Sequence, residues 1–302
     1  MSFARRIRRL KERIQKKQAR RQNKRRVLLE PLEPRILLDA EMSFTMSAAA
    51  HDLTLRLGDV DGIDTLQLIN NEDPVPDTQV IFSQSLAEIT GVRIVGSDQS
   101  DQLTIDFSRL FAVSNGIWFT DGFDGDADAL QVIGKDNVWT LAGANQGQVD
   151  GSIEFFGVEN LTGGPDNEDT FIVSTGGSLS GVIDGGAGGF DTMVVDAQSS
   201  ELIELAATGL DSGTVTIDGQ VITYTGLEPV SISGMPTNVV VDLPDTFLGA
   251  GVNDEAEISQ SGNTITVAST STPTTFELHN FGAPSLASHS LTVNGNGGWY
   301  DR

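Results

Sequence analysis

Gly163-Gly164-Pro165-Asp166-Asn167-Glu168-Asp169-Thr170-Phe171-Ile172-Val173 returns 22 residues later as Gly185-Gly186-Ala187-Gly188-Gly189-Phe190-Asp191-Thr192-Met193-Val194-Val195. The two Gly, the Asp-Thr pair and the final Val keep their places. Each copy is a turn-forming half followed by a β-forming half, because Gly, Asp and Asn tolerate left-handed backbone while Phe, Ile, Val and Thr suit a pleated strand. A repeat of about 20 residues built as turn plus strand predicts successive coils that stack identical positions into ladders. A looser form, Gly then Asp five residues on and an apolar residue two beyond, fits Gly96, Asp101 and Leu103, and more weakly Gly249, Asp254 and Ala256.

The same texture extends outward. Leu53-Thr54-Leu55-Arg56-Leu57, Leu103-Thr104-Ile105-Asp106-Phe107, Val239-Val240-Val241, Thr264-Ile265-Thr266-Val267 and Ser290-Leu291-Thr292-Val293 alternate in period two between Gly, Asp and Asn turns. No helical period follows residue 50. The expected class is all-β, a parallel β-helix or β-solenoid, with β-sandwich modules as the runner-up.

Charge divides the chain. Residues 1–40 carry 14 Lys and Arg against 4 Asp and Glu, whereas residues 41–302 carry 5 against 38, a body at −33 within a chain at −23. Such a body repels nucleic acid and anionic membrane and attracts cations. With no Cys there is neither a disulfide framework nor a thiolate metal site, so any staple is hydrogen bonding or a hard ion on oxygen ligands. No apolar run is long enough for a membrane span, and the N-terminus lacks the apolar core of a secretory signal. In the basic arm, Phe3, Ile7, Leu10 and Ile14 make one narrow apolar stripe, which predicts a helix confined to about residues 3–28; it reads first as a solvated arm, second as a helix that contacts a membrane surface through residues 3–26, and third as a nucleic-acid arm. Pro31 and Pro34 end it near Leu29. The expected divisions are a basic arm at 1–29, a linker at 30–50 and an acidic β-repeat region at 51–302. The C-terminal Asn294-Gly295-Asn296-Gly297-Gly298-Trp299-Tyr300-Asp301-Arg302 opens a further turn without a cap, which suggests truncation of a longer array.

Leu32-Glu33-Pro34-Arg35-Ile36-Leu37-Leu38, with Leu32, Glu33, Pro34, Arg35, Leu37 and Leu38 as its defining positions, resembles without departure the LEPR-XLL signature of giant repeat-rich bacterial surface proteins. Gly157-Val158-Glu159-Asn160-Leu161-Thr162-Gly163-Gly164 and Tyr224-Thr225-Gly226-Leu227-Glu228-Pro229 are similar to segments of that family and of filamentous-haemagglutinin-like proteins. The resemblance implies a sorting or processing element, β-solenoid architecture, type I export, extracellular or cell-surface placement and a role in adhesion. It names no polysaccharide or protein ligand.

The Gly-Gly, Asp and apolar order also resembles the calcium-binding nonapeptide of RTX proteins, with one departure: the Asp stands five rather than four residues after the second Gly. The candidate calcium ligands are Asp101, Asp124, Asp126, Asp128, Asp166, Asp169 and Asp191, acidic positions at turns where coils would meet; the bland reading is that each is an ordinary turn former. Asp59, Asp61 and Asp64 read as a solvated acidic turn. Catalysis has little to stand on. His51, His279 and His289 are isolated and read as surface or edge-strand residues, and no nucleophile elbow or phosphate loop occurs. The expectation is a non-catalytic structural or adhesive segment. The enzyme alternative is a β-helical polysaccharide lyase or glycoside hydrolase, for which paired carboxylates would supply acid and base.

Overall fold

The structure, a computed structural model, describes residues 11, 13, 40–47, 51–75, 78–122, 125–198, 200–234, 236–244, 255–270, 279–282 and 290–295. The chain divides into two compact units, Met1–Leu37 and Leu38–Arg302. In the first, only Lys11 and Arg13 are described, both with helical backbone, and the rest of the stretch expected as a helix over 3–28 lies outside the described residues. Leu32, Glu33, Pro34, Arg35 and Leu37 of the signature lie outside the described residues, as does Leu38 at the start of the second unit.

Among its described residues the second unit is all-β, with two twelve-stranded sheets and a single 3-10 turn at Leu86–Glu88. Among the described residues no helix is long and apolar enough to cross a membrane. From Ile89–Val95 onward the chain crosses from one sheet to the other and back. Ile89–Val95 and Ile117–Thr120 pair in parallel in the first sheet, while Gln102–Asp106 and Ala129–Ile133 pair in parallel in the second. Strands of this crossing path turn one face inward, and Ala129–Ile133, Thr192–Asp196 and Asn238–Asp242 show alternate buried and half-buried positions.

The quoted repeat sits where this path is shortest. Thr170, Phe171, Ile172 and Val173 lie in register beside Thr192, Met193, Val194 and Val195, and Leu161 beside Ile183. Trp139, Phe171 and Met193 form one inward column, with Trp139 and Phe171 rings stacked at 5.2 Å; Leu103, Leu130, Leu161 and Ile183 form another. Each such buried side chain contributes roughly 1.5–3 kcal/mol through water exclusion.

Two features depart from the sequence reading. The first strand is Ala40–Thr45, inside the stretch read as a linker; it pairs in parallel with Ile89–Val95 and buries Met42, because Met42 lies in register with the inward Val92. The spacing also varies, since antiparallel hairpins are spliced into the parallel order. Val138–Gly143, Gln146–Val149 and Ile153–Phe156 form one within the first sheet, and Leu202–Ala207, Gly213–Ile217 and Gln220–Thr225 another within the second. Asp52–Val60, Ile63–Asn70 and Val80–Ser85 close one edge of the second sheet, and Ala256–Ser261, Thr264–Ser269 and His279–Gly282 one edge of the first. Three hairpin turns are Asp-Gly pairs with both residues left-handed: Asp61–Gly62, Asp150–Gly151 and Asp218–Gly219.

Candidate functional site: two carboxylate ladders

A strand that starts beside its parallel neighbour leaves the backbone N–H just before it without a ladder partner, and a buried N–H must find one. Here acidic side chains at the strand entrances supply it. At the entrance to the first sheet, the Asn137 N–H donates to Asp169 Oδ1 at 2.7 Å, and the Asp169 N–H donates to Asp191 Oδ1 at 2.7 Å, 22 residues on. Asp169 also accepts from the Asn137 amide at 2.9 Å and, on Oδ2, from the Gly164 N–H at 2.9 Å. At the entrance to the second sheet, the Asp101 N–H donates to Asp128 Oδ1 at 2.8 Å and the Asp128 N–H to Glu159 Oε2 at 2.9 Å. Asp101 itself accepts from the Ser97 N–H and hydroxyl. The Gly96-to-Asp101 and Gly164-to-Asp169 matches thus mark equivalent corners, one per sheet: in each, the N–H of Ser97 or Gly164 folds back onto the Asp that opens the strand.

Of the candidate calcium ligands, then, Asp101, Asp128, Asp169 and Asp191 are buried and bonded to main-chain amides of their own corner or the adjoining strand. Asp166 and Asp126 are exposed; Asp166 takes left-handed backbone in its turn and its N–H donates to Ala187 O at 3.1 Å. Asp124 lies outside the described residues. Among the described residues no group of three or more His, Asp or Glu side chains is placed to hold a metal ion. Asp59 and Asp61 form an exposed turn, with Asp59 accepting from the Gly62 N–H, and Asp64 pairs with Arg109 at 2.7 Å.

The histidines need one correction. His51 faces Glu72 at 3.0 Å on the surface and His289 lies outside the described residues, but His279 is buried. It stands in register between Val230 and Val267, both inward-facing, and desolvation pushes it down to about 4, so it is neutral. Glu159 and Asn137, the end rungs of the two ladders, escaped the sequence reading because neither belongs to the repeated string. Their signal was position: each immediately precedes a short β run or opens one.

Burial disfavours the charged form of the ladder carboxyls. Asp169 is raised above the ordinary carboxylate value, and Asp191 is raised to about 6, first by desolvation and then by the carboxylates of Asp169, Asp136 and Asp184. A carboxyl whose folded value is raised gives stability that is full below the unfolded value, 3.8, and lost as pH rises through about 6. Thermal melting is therefore expected to be highest on the acid side of this window and to fall by about 5 °C across it. Asp191→Asn should flatten that fall; a wild-type melting temperature that rises through the same window would contradict the assignment.

No family model matches the chain, no curated protein matches it, and no solved structure matches it.

Proposed function

We propose that Leu38–Arg302 is a β-solenoid and that the chain is a non-catalytic structural and adhesive segment of a large secreted or cell-surface bacterial protein. One observation carries this reading: the buried carboxylates of the repeat are engaged by backbone amides at strand entrances instead of converging on an open cleft. A glycosidase needs two carboxyl groups facing a sugar across a gap, one of them free to move a proton. Asp169 and Asp191 instead hold one strand entrance to the next. The in-register stacking of the 22-residue repeat supports the solenoid, and the LEPR-XLL signature supports export and surface placement.

Calcium enters this proposal as a counter-ion. A body at −33 is self-repelling, and cations that screen it favour compaction. Calcium and sodium chloride of matched ionic strength should then raise the melting temperature alike. A much larger effect of calcium, reduced by Asp126→Ala or Asp166→Ala, would make those exposed Asp residues ligands.

Function is tested on the full chain in two arms. Immobilised chain should retain bacterial cells or extracted cell-surface polysaccharide. Incubation with neutral and uronate polysaccharides should release no reducing ends or unsaturated products. Turnover lost on one Asp or Glu substitution would replace this reading with the hydrolase or lyase.

A further inference from the structure

Deepening that adhesive reading, and resting on it, we propose that the pocket beside Trp118 on the outward face of the first sheet binds a neutral saccharide. Trp118 stands in register between Arg93 on one neighbouring strand and Glu154 on the other. Its inward neighbours Ile117 and Phe119 are buried, while the indole is only half-buried on the outer face. Three contacts fix its pose. The indole lies against Gly91, the Arg93 guanidinium sits 5.5 Å from the ring centroid, and the indole N–H donates to Glu154 Oε2 at 3.1 Å. Arg93 is itself held by Glu41 at 3.0 Å, so the ring is oriented before any ligand arrives.

On the Glu154 side opens a cavity of about 160 Å³, bounded by Trp118, Glu154, Asn115, Ser114 and Ser152. That is room for a single sugar ring. The composition suits one: an aromatic surface for the apolar C–H face of a pyranose, with a carboxylate, an amide and hydroxyls around it for the sugar's own hydroxyls. Glu154 gives one oxygen to the indole and has a second to offer.

Charge selects a neutral ligand. The basic side chains described in the acidic body are Arg56, Arg93, Arg109 and Lys135. Each already has a partner, in Gln67, Glu41, Asp64 and Asp150 respectively. None lines the pocket, and the surrounding field repels uronates and sulfated sugars.

The test is calorimetric titration of the full chain with neutral gluco-, xylo- and manno-oligosaccharides and with oligogalacturonate. At least one neutral series should bind at millimolar or lower concentration and oligogalacturonate should not. Trp118→Ala and Glu154→Gln should each weaken binding about tenfold or more. Should Trp118→Ala fail to fold, Glu154→Gln and Trp118→Phe carry the test, because the first leaves the indole over Gly91 in place and the second keeps an aromatic ring in register while removing the N–H donor. No binding of any neutral series, tighter binding of oligogalacturonate, or affinity indifferent to all these substitutions would overturn the proposal. Retention of cells by a chain that binds no neutral saccharide would sink this site and leave the adhesive reading standing.

Discussion

Gly189→Ala is expected to destabilise the protein by more than about 4 kcal/mol, seen as a fall in melting temperature of on the order of 10 °C. Gly189 has φ of 94°, and an added Cβ would overlap the Asn167 carbonyl oxygen of the preceding repeat. That oxygen is fixed by the Phe190 N–H, which donates to it at 3.1 Å, so it cannot swing aside without opening the corner. Left-handed backbone alone costs an L-residue roughly 1–2 kcal/mol. The comparison is Gly176→Ala, at φ of 84° with no heavy atom within 4 Å of an added Cβ, where only that smaller cost should appear. Equal losses at the two positions would mean that close stacking of repeats is not what requires Gly189.

Asp169→Ala is expected to cost about 3–5 kcal/mol, measured by denaturant unfolding of the full chain. The residue is fully buried and accepts from the Gly164 N–H, the Asn137 N–H and the Asn137 amide. Removing the acceptor strands these donors out of reach of water, at roughly 1–3 kcal/mol each. Relief of the desolvation that raises the carboxyl offsets part of the loss, which holds the total below a simple sum. Asp169→Asn keeps one acceptor oxygen but turns an NH2 towards backbone N–H donors, so it should recover little. Asp126→Ala, at an exposed position, should be nearly silent, and a comparable loss there would remove the special status of the buried rung.

How much of this was legible depends on which interactions repeat. Phe171 over Met193 and Thr170 beside Thr192 could be read from the string, because a coil that returns after 22 residues must place equal positions side by side. The corner role of Asp101 and Asp169 was half legible. Gly and Asp five apart marked the turn, but whether the carboxylate meets an ion or an amide depends on which N–H is left over at the strand entrance, and pattern alone does not show that. The antiparallel splices carry a sequence signal of their own. Asp61-Gly62, Asp150-Gly151 and Asp218-Gly219 are the dipeptides that favour the left-handed turns of tight hairpins, yet their strands alternate just as the parallel strands do. Parallel and antiparallel partners differ in hydrogen-bond geometry, and side-chain alternation is blind to it. The inward placement of His279 has a related cause: its face is set by its register with Val230, four strands earlier in the chain.

The hairpin at Asp61–Gly62 reaches past the strands that carry the ladders. Both turn residues are exposed, and no heavy atom lies within 4 Å of where a Gly62 side chain would begin. Loop-closure entropy grows only slowly with length, so a foreign peptide grafted between these residues would lengthen a loop and leave every Asp-to-amide rung as it is. That makes the tip a place to present an epitope, an affinity tag or a fluorophore, with the stacked sheets behind it serving as a rigid mount.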